Sequence, residues 1–204
     1  MRALFIGNSF TARNDVPEMI SQLALSSGER LEHVLISAGG ASLRRHWNKG
    51  DAQRAFTDGH FDVVVLQEQS TLPVKNANRM FENVRLFDEA IRAAGSRTVL
   101  YMTWARLHEP QNQRVIADAY LTIGTELGAD VAPVGLAWER FLAAHTTPVL
   151  HDKDKSHPSL AGSYLAACVL FSVLFNRSPV GLAAPSAGLA AGDALALQRA
   201  AGEP

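Results

Sequence analysis

Apolar residues follow two patterns along the chain, and the two patterns alternate. Short continuous runs rich in Val, Ile and Leu are typical of strands that are buried on both faces of a sheet. Runs of this kind occupy 3–6, 33–37, 62–66 and 98–102, and a weaker fifth run occupies 130–134. We therefore expect five short strands.

Between these runs, apolar residues recur at the three- and four-residue spacing of an amphipathic helix. The first such segment opens on Asp15, an N-cap residue followed three positions later by Glu18, and should end near Gly28. Similar patterns cover 78–94, 110–127 and 160–175. Each of the segments 78–94 and 110–127 is followed by a glycine, which is a common helix stop.

Strands that alternate with helices predict an α/β fold, specifically a three-layer α/β/α sandwich. We expect a five-stranded parallel sheet in the order 2-1-3-4-5 with right-handed crossovers. The length of 204 residues fits a single domain. We place that domain at 1–177 and an Ala/Gly-rich C-terminal extension at 178–204, in which 191–200 predicts a short docked helix.

Charge and composition narrow the class of partner. The formal net charge is -1 and no basic run occurs, which argues against nucleic acid. The single cysteine, Cys168, lies within an apolar helix pattern, so we expect a buried thiol and no intrachain disulfide. The chain enters a strand directly after Met-Arg and its apolar stretches are shorter than a membrane span, so we expect a cytoplasmic location and no membrane partner.

Motifs for metals and nucleotides are missing from the sequence. No His-x-x-x-His or Cys-x-x-Cys spacing occurs, and there is no Gly-x-Gly-x-x-Gly or Walker pattern. We therefore predict neither a metal nor a cofactor, and we expect the partner to be a small molecule. The sequence leaves the oligomeric state open.

Chemically active residues follow the predicted strands at their carboxyl ends, where parallel sheets form a ligand crevice. Ser9 follows the first strand, Gly40 follows the second, and Gln67 and Gln69 follow the third. Another polar segment, with Asp154 and His157, precedes the last long helix.

These residue types are suited to acyl transfer. A serine hydroxyl needs a base, and the base needs a group that fixes its tautomer. Asp154 is three residues before His157, so its carboxylate can reach Nδ1 and leave Nε2 for Ser9. Pro158 disfavours helical dihedral angles at His157, which predicts a loop here and a helix that begins near residue 159 or 160. Backbone N–H groups of Ser9 and Gly40 and an amide are suitable donors to an oxyanion.

Taken together, these motifs resemble those of the SGNH (GDSL-like) hydrolase superfamily of esterases and lipases, in a poorly characterised branch with Gly-Asn-Ser and Gln-Glu-Gln-Ser blocks. The resemblance runs from Leu4 to about Phe171. It implies a flavodoxin-like SGNH fold, with Ser9 as nucleophile, His157 as base, Asp154 as its orienting acid, and the N–H groups of Ser9 and Gly40 in the oxyanion hole.

Two positions depart from the family pattern. Asn8 replaces the usual aspartate before the serine, and Gln69 stands where an asparagine is expected after the third strand. Gln69 has one more methylene group than asparagine, so its reach differs, and Gln67 is the alternative third donor to the oxyanion.

The substrate-binding candidates are Asn8, Trp104 and Arg106. Trp104 and Arg106 follow the fourth strand, where an indole can stack on an apolar or sugar-ring face and a guanidinium can hold a carboxylate or a polar head group. The alternative is a packed indole beside a solvated arginine.

Each signal also has a simpler interpretation. A serine after Gly-Asn is common in turns and helix caps, and glutamines at strand ends are often buried and bonded to backbone. Asp154 lies in a charged run that is typical of an exposed loop, and Asp152 in the same run is a rival orienting acid.

Three functions are consistent with these signals. The favoured one is a metal-independent serine hydrolase that cleaves small carboxylic esters, with acetylated carbohydrate as preferred substrate, through an acyl-enzyme intermediate. The alternatives are a short-chain acyl ester or thioester hydrolase, and a non-catalytic flavodoxin-like domain that binds an anion or small molecule at the Ser9 loop. The acyl group and the alcohol stay open.

Overall fold

A five-stranded parallel sheet forms the centre of the molecule, with strand order β2-β1-β3-β4-β5. The computed structural model describes residues 1–183 and 188–202, so the predicted extension at 178–204 lies partly outside the described residues. The strands are β1 Arg2–Gly7, β2 Glu32–Ser37, β3 Val63–Leu66, β4 Arg97–Tyr101 and β5 Asp130–Ala132. Both the parallel sheet and its predicted order are confirmed.

Register brings the ends of the strands to one level. Ile6 of β1 is paired with Ile36 of β2 on one side and with Leu66 of β3 on the other. Because the strands are parallel and in step, the segments that follow them emerge at the same edge of the sheet. This edge is where the candidate residues were expected to meet.

Ten α-helices surround the sheet in the described part of the chain. They are α1 Ser9–Ala12, α2 Val16–Ser26, α3 Leu43–Lys49, α4 Asp51–Asp58, α5 Leu72–Lys75, α6 Ala77–Ala93, α7 Asn112–Leu127, α8 Val134–Ala144, α9 Leu160–Phe175 and α10 Ala191–Gly202. The helices predicted from periodicity correspond to α2, α6, α7 and α9, and the short helix predicted in the tail is α10. The division of the chain at residue 177 stays a prediction.

Two sequence expectations need correction. The fifth strand was expected to reach Val134, but β5 ends at Ala132 and α8 begins at Val134. Pro133 lies between them and has no N–H to donate to a strand ladder. The second strand was expected to be buried on both faces, but β2 is an edge strand whose residues are half-buried or exposed.

The sheet separates two apolar cores. Side chains of β1 alternate between them: Ala3 and Phe5 join one cluster, and Leu4 and Ile6 join the other. The first cluster contains α2, α8, α9 and α10, and the second contains α3, α4, α6 and α7. These are the three layers that the alternating pattern predicts.

Helix α9 is buried almost all round because it lies against α2, α8 and α10 as well as β5. Cys168 on this helix is fully buried, and burial raises the pKa of its thiol.

Within 1–183 and 188–202, none of the helices combines the length and apolar character needed to cross a lipid bilayer.

Gly162 in α9 should be intolerant of a side chain. A Cβ there would lie 2.4 Å from both the carbonyl oxygen of Leu150 and the Trp138 ring. Because the crowded backbone oxygen cannot turn aside, we expect Gly162→Ala to lower the free energy of unfolding by about 1–3 kcal/mol in urea denaturation.

Gly192 in α10 is the matched control, since a Cβ there would have no atom within 4 Å. We expect Gly192→Ala to be neutral or to stabilise by up to about 1 kcal/mol, because alanine is the better helix former. Equal effects of the two substitutions would show that the close approach at Gly162 has no energetic consequence.

Candidate active site

Asn8 shapes the turn that presents Ser9. It is the N-cap of α1, and its Oδ1 accepts a hydrogen bond of 3.0 Å from the backbone N–H of Phe10. Its Nδ2 donates to the carbonyl of Ala41 at 3.0 Å, in the loop after β2. The side chain is 3% exposed, so its amide joins two loops within the protein.

Gln67 supports the same turn from the end of β3. Its Oε1 accepts hydrogen bonds from the backbone N–H of Asn8 at 2.9 Å and from the Thr11 hydroxyl at 3.0 Å, and its Nε2 donates to the carbonyl of Glu68. A Cβ at Gly7 would lie 2.6 Å from Gln67 Oε1. Glycine is therefore required at position 7 for this approach.

The hydroxyl of Ser9 meets His157, with 2.8 Å between Oγ and Nε2. His157 Nδ1 is hydrogen-bonded to Oδ2 of Asp154. The other oxygen, Oδ1, accepts the backbone N–H groups of Ser156 at 3.0 Å and of His157 at 2.9 Å. The carboxylate of Asp154 therefore stabilises its own turn and also orients the imidazole of His157.

Asp152, the rival orienting acid, lies elsewhere. Its carboxylate forms an ion pair of 2.7 Å with Arg13.

The next helix begins where the proline predicted: Ser159 is the N-cap of α9 and accepts the N–H of Gly162 at 3.2 Å. This start fixes the orientation in which the chain leaves the His157 loop.

Electrostatics sets the tautomer of His157. The hydrogen bond from the backbone N–H of His157, followed by that from its ring, holds the pKa of Asp154 well below its usual range. Asp154 is therefore ionised at neutral pH and can only accept hydrogen bonds. This assigns the proton to Nδ1 and leaves Nε2 as the acceptor for the Ser9 hydroxyl.

The predicted oxyanion donors have N–H groups that are not used within the described part of the protein. Gly40 is in an exposed turn with φ 62°, and the described residues offer no acceptor to the backbone N–H of either Ser9 or Gly40. Gln69 Oε1 accepts from the backbone N–H and the hydroxyl of Thr71, both at 2.9 Å. Since only the amide oxygen can accept a backbone N–H, this contact orients the amide, and in 1–183 and 188–202 its Nε2 has no acceptor.

Glu68 is a residue that the sequence reasoning missed. It is fully buried, and its Oε1 accepts the backbone N–H of Leu43 at 2.9 Å and of Gln69 at 2.7 Å. Its Oε2 accepts from Asn83 at 2.8 Å. Burial raises the pKa of the Glu68 carboxyl. A carboxylate at the end of a buried strand requires such partners. The position of Glu68 directly after a buried apolar run was therefore the signal in the sequence that could have identified it.

Trp104 is a packed indole. Its ring is stacked on Phe10, with centroids 4.6 Å apart, and on Trp138, with centroids 3.9 Å apart. Its Nε1 donates to the carbonyl of Ser156 at 3.0 Å. Because protein rings cover both faces of the indole, it cannot stack on a substrate ring, as one interpretation expected. Its hydrogen bond to Ser156 instead stabilises the loop that carries Asp154.

Arg106 lies in the loop that follows β4. It lines a cavity of about 300 Å³ between this loop and the one after β3, together with Ser70, Thr71 and Trp104. Of the predicted residues, Ser9, His157 and Asp154 are directly linked, and Arg106 is in a cavity wall nearby. Asn8 and Gln67 use their side chains to hold the Ser9 turn.

Several solved structures are similar to this chain. The chain is similar to a protein from Slackia heliotrinireducens assigned to the SGNH hydrolases, with 30% identity, 85% of this chain and 98% of that chain covered, and a TM-score of 0.74. A DUF4886 family protein from Bacteroides uniformis has 21% identity, coverage of 98% and 93%, and a TM-score of 0.80.

A third structure, a variant of an acetyl-xylooligosaccharide esterase from Geobacillus stearmophilus, has 16% identity, coverage of 85% and 93%, and a TM-score of 0.67. At this identity the likeness shows the fold alone. No protein-family model and no curated protein matches the chain.

The buried carboxyl of Glu68 should give stability a distinctive pH dependence. Because its pKa in the folded protein is raised above the ordinary 4.5, its contribution is fully present below that pH and is lost as the pH rises through the folded value. We expect the stability of the wild type relative to Glu68→Gln, measured by urea unfolding from pH 4 to pH 8, to decrease with rising pH.

Glu89→Gln is the control, since Glu89 is exposed on α6. The wild type and this variant should differ by an amount that hardly changes with pH. If the advantage of the wild type over Glu68→Gln instead grows with pH, the sign of the shift assigned to Glu68 is wrong.

Proposed function

Because this chain belongs to the SGNH hydrolase superfamily, we propose that it is a serine hydrolase that cleaves small carboxylic esters through an acyl-enzyme intermediate. The observation that carries the proposal is the chain of hydrogen bonds from Ser9 Oγ to His157 and on to Asp154. This arrangement supplies a nucleophile, a base and a group that orients the base.

Acylation begins when Ser9 Oγ attacks the acyl carbon of the ester and its proton passes to His157 Nε2. The imidazolium that forms is stabilised by the ionised Asp154, which faces Nδ1. The tetrahedral intermediate then collapses, the bond to the alcohol breaks, and His157 returns the proton to the departing alkoxide. The acyl group remains on Ser9.

Deacylation repeats these steps with water. His157 takes a proton from the attacking water, the second tetrahedral intermediate collapses, and Ser9 recovers the proton as the acid leaves. No group other than the enzyme, the ester and water is needed for this balance.

We assign stabilisation of the oxyanion to three donors, namely the backbone N–H groups of Ser9 and Gly40 and the Nε2 of Gln69. The support for Gln69 is the hydrogen bonding of the two glutamines. Gln67 uses both ends of its amide within the protein, whereas the Gln69 amide is oriented through Oε1 and keeps Nε2 available. Glu68 holds the backbone of Gln69 in place.

For the substrate, we propose acetyl and other short acyl esters, with acetylated carbohydrate preferred. An acetyl-xylooligosaccharide esterase shares this fold, which supports the choice of class. The cavity beside the site, of about 300 Å³, has the size of a small-molecule site.

A panel of p-nitrophenyl esters of graded acyl length and of acetylated xylooligosaccharides tests the function. The wild type should release acid from the shortest esters, and Ser9→Ala serves as the blank because the mechanism has no other nucleophile. Equal turnover by the wild type and Ser9→Ala would contradict the proposal.

Ser9 and His157 should act as one catalytic unit. Each of Ser9→Ala and His157→Ala should lower kcat by about 10³-fold or more, and the double variant should lose little beyond either single variant, because the base has no role without its nucleophile. Steady-state kinetics of the three variants on p-nitrophenyl acetate measures this coupling. Losses that multiply in the double variant would mean that the two residues work independently.

Substitution of Gln69 should affect mainly kcat, whereas substitution of Gln67 should affect mainly the free energy of unfolding. Gln69→Ala should lower kcat by about 10²-fold with little change in KM, since the donor acts chiefly in the transition state. Gln67→Ala should lower kcat less, but it should reduce the free energy of unfolding by about 1–3 kcal/mol because the buried N–H of Asn8 loses its acceptor.

Ester kinetics and urea unfolding of both variants give the comparison. If Gln69→Ala keeps full kcat, the oxyanion must be stabilised either by Gln67 or by the two backbone groups alone.

A further inference from the structure

Arg106 is a half-buried cation without a protein partner. Its Nε is buried, and in 1–183 and 188–202 its guanidinium makes neither a hydrogen bond nor an ion pair. Among the described residues, the other arginines whose side chains lack such a bond are all exposed to solvent. They are Arg30, Arg45, Arg79 and Arg199. A buried charged donor is costly unless something pairs with it, so Arg106 is suited to a ligand.

The backbone around Arg106 is fixed on both sides. The N–H of Ala105 donates to Gln113 Oε1 at 2.8 Å, and the N–H of Leu107 donates to the carbonyl of Lys155 at 2.9 Å. Lys155 lies in the turn between Asp154 and His157, so the arginine loop and the catalytic loop are joined directly. The backbone that carries the guanidinium is therefore held in place before a ligand arrives.

Arg106 lines two cavities, and the wall of the one between its own loop and the loop after β3 includes neighbours of the catalytic residues. Ser70, in the wall of this cavity, follows Gln69 in the chain, and Trp104, also in the wall, is stacked on Phe10 next to Ser9. A molecule held at Ser9 that also enters this cavity, of about 300 Å³, would meet Arg106.

The charges of the cavity favour an anion. Lys75 lies in the same wall, is exposed and makes no ion pair among the described residues. One acid, Glu109, also lines the cavity, but it is turned to other partners: its Oε2 accepts from Asn112 at 3.1 Å and its Oε1 lies 3.9 Å from His108. With Arg106 and Lys75 against Glu109, the charged side chains of this wall carry one net positive charge.

We propose that Arg106 binds a carboxylate of the substrate, so that among the short acyl esters proposed above, acetylated carbohydrates included, those that carry a carboxylate close to the ester bond are preferred. This rests on the proposed hydrolase function and specifies its substrate class. A guanidinium can form two parallel hydrogen bonds to a carboxylate, which selects the substrate by geometry as well as by charge. The carboxylate belongs to either the acyl part or the alcohol part, and the cavity chemistry is the same for both.

Matched pairs of esters test the preference on the wild-type protein. 4-Methylumbelliferyl hemisuccinate against the butyrate places the charge on the acyl part, and 4-acetoxybenzoate against 4-acetoxybenzamide places it on the alcohol part. We expect kcat/KM to favour the charged member of at least one pair by about tenfold or more, a difference of about 1.4 kcal/mol. Equal or lower values for the charged members of both pairs would overturn the proposal.

Arg106→Gln should reduce the charged-to-neutral ratio of kcat/KM at least tenfold, mainly through KM, and Arg106→Lys should reduce it less because the charge remains. Arg114→Gln is the matched control. Arg114 is on α7 with its side chain 90% exposed, and we expect this variant to keep the ratio of the wild type. A ratio that is unchanged in Arg106→Gln would also overturn the proposal.

Binding to Ser9→Ala separates this inference from the proposed function. Calorimetry with monomethyl succinate should show binding to Ser9→Ala that is lost in Ser9→Ala/Arg106→Gln. If this binding is found but the wild type cleaves no ester, carboxylate recognition holds and the hydrolase proposal fails. If the wild type cleaves esters but the half-ester does not bind through Arg106, the hydrolase proposal holds and carboxylate recognition fails.

Discussion

The arrangement of the site depends on the hydrogen bonds that pair the buried polar groups of Asn8 and Gln67. A turn at the end of a central strand buries backbone N–H groups that the strand ladder no longer satisfies, and each needs another partner. Gln67 supplies the acceptor for the N–H of Asn8, and Asn8 in turn binds the carbonyl of Ala41. Two side chains thereby join the loops after β1, β2 and β3, and Ser9 is presented from a turn that is fixed on both sides.

A second constraint lies in the short segment before α9. The carboxylate of Asp154 accepts two backbone N–H groups of its own turn and also faces the ring of His157. The spacing of three residues follows from this double use, since the turn that brings the backbone groups to one oxygen places Nδ1 at the other. Trp104 then holds the turn against the sheet through the carbonyl of Ser156. The two loops that carry Ser9 and His157 come from opposite ends of the chain, and they meet where the ring of Phe10, stacked on Trp104, contacts the edge of the His157 ring.

Much of the fold could be predicted from sequence because local patterns determine it. Buried parallel strands are continuous apolar runs, and the turn at Asp154, Pro158 and Ser159 contains its own start signal for a helix. The single-turn helices α1 and α5 were missed since four residues are too few to show a period. Helix α8 was missed because its apolar residues follow β5 directly and the two patterns merge.

What sequence could not provide are roles that depend on contacts across the fold. Gln67 and Gln69 look alike in the chain, and only the position of Asn8 against β3 distinguishes the one that supports the turn. Glu68 between them, in the loop after β3, has long-range partners on two helices, α3 and α6. Both ring faces of Trp104 are covered by residues far away in sequence, which no periodicity indicates.

Covalent labelling tests most directly whether Ser9 is an activated nucleophile. A fluorophosphonate probe is added to the native protein and to His157→Ala, and the labelled residue is located by mass spectrometry of the digested protein. We expect a single adduct on Ser9 in the native protein and a strongly slowed reaction in His157→Ala. No adduct, or an adduct on another serine at the same rate in both proteins, would contradict this role of Ser9.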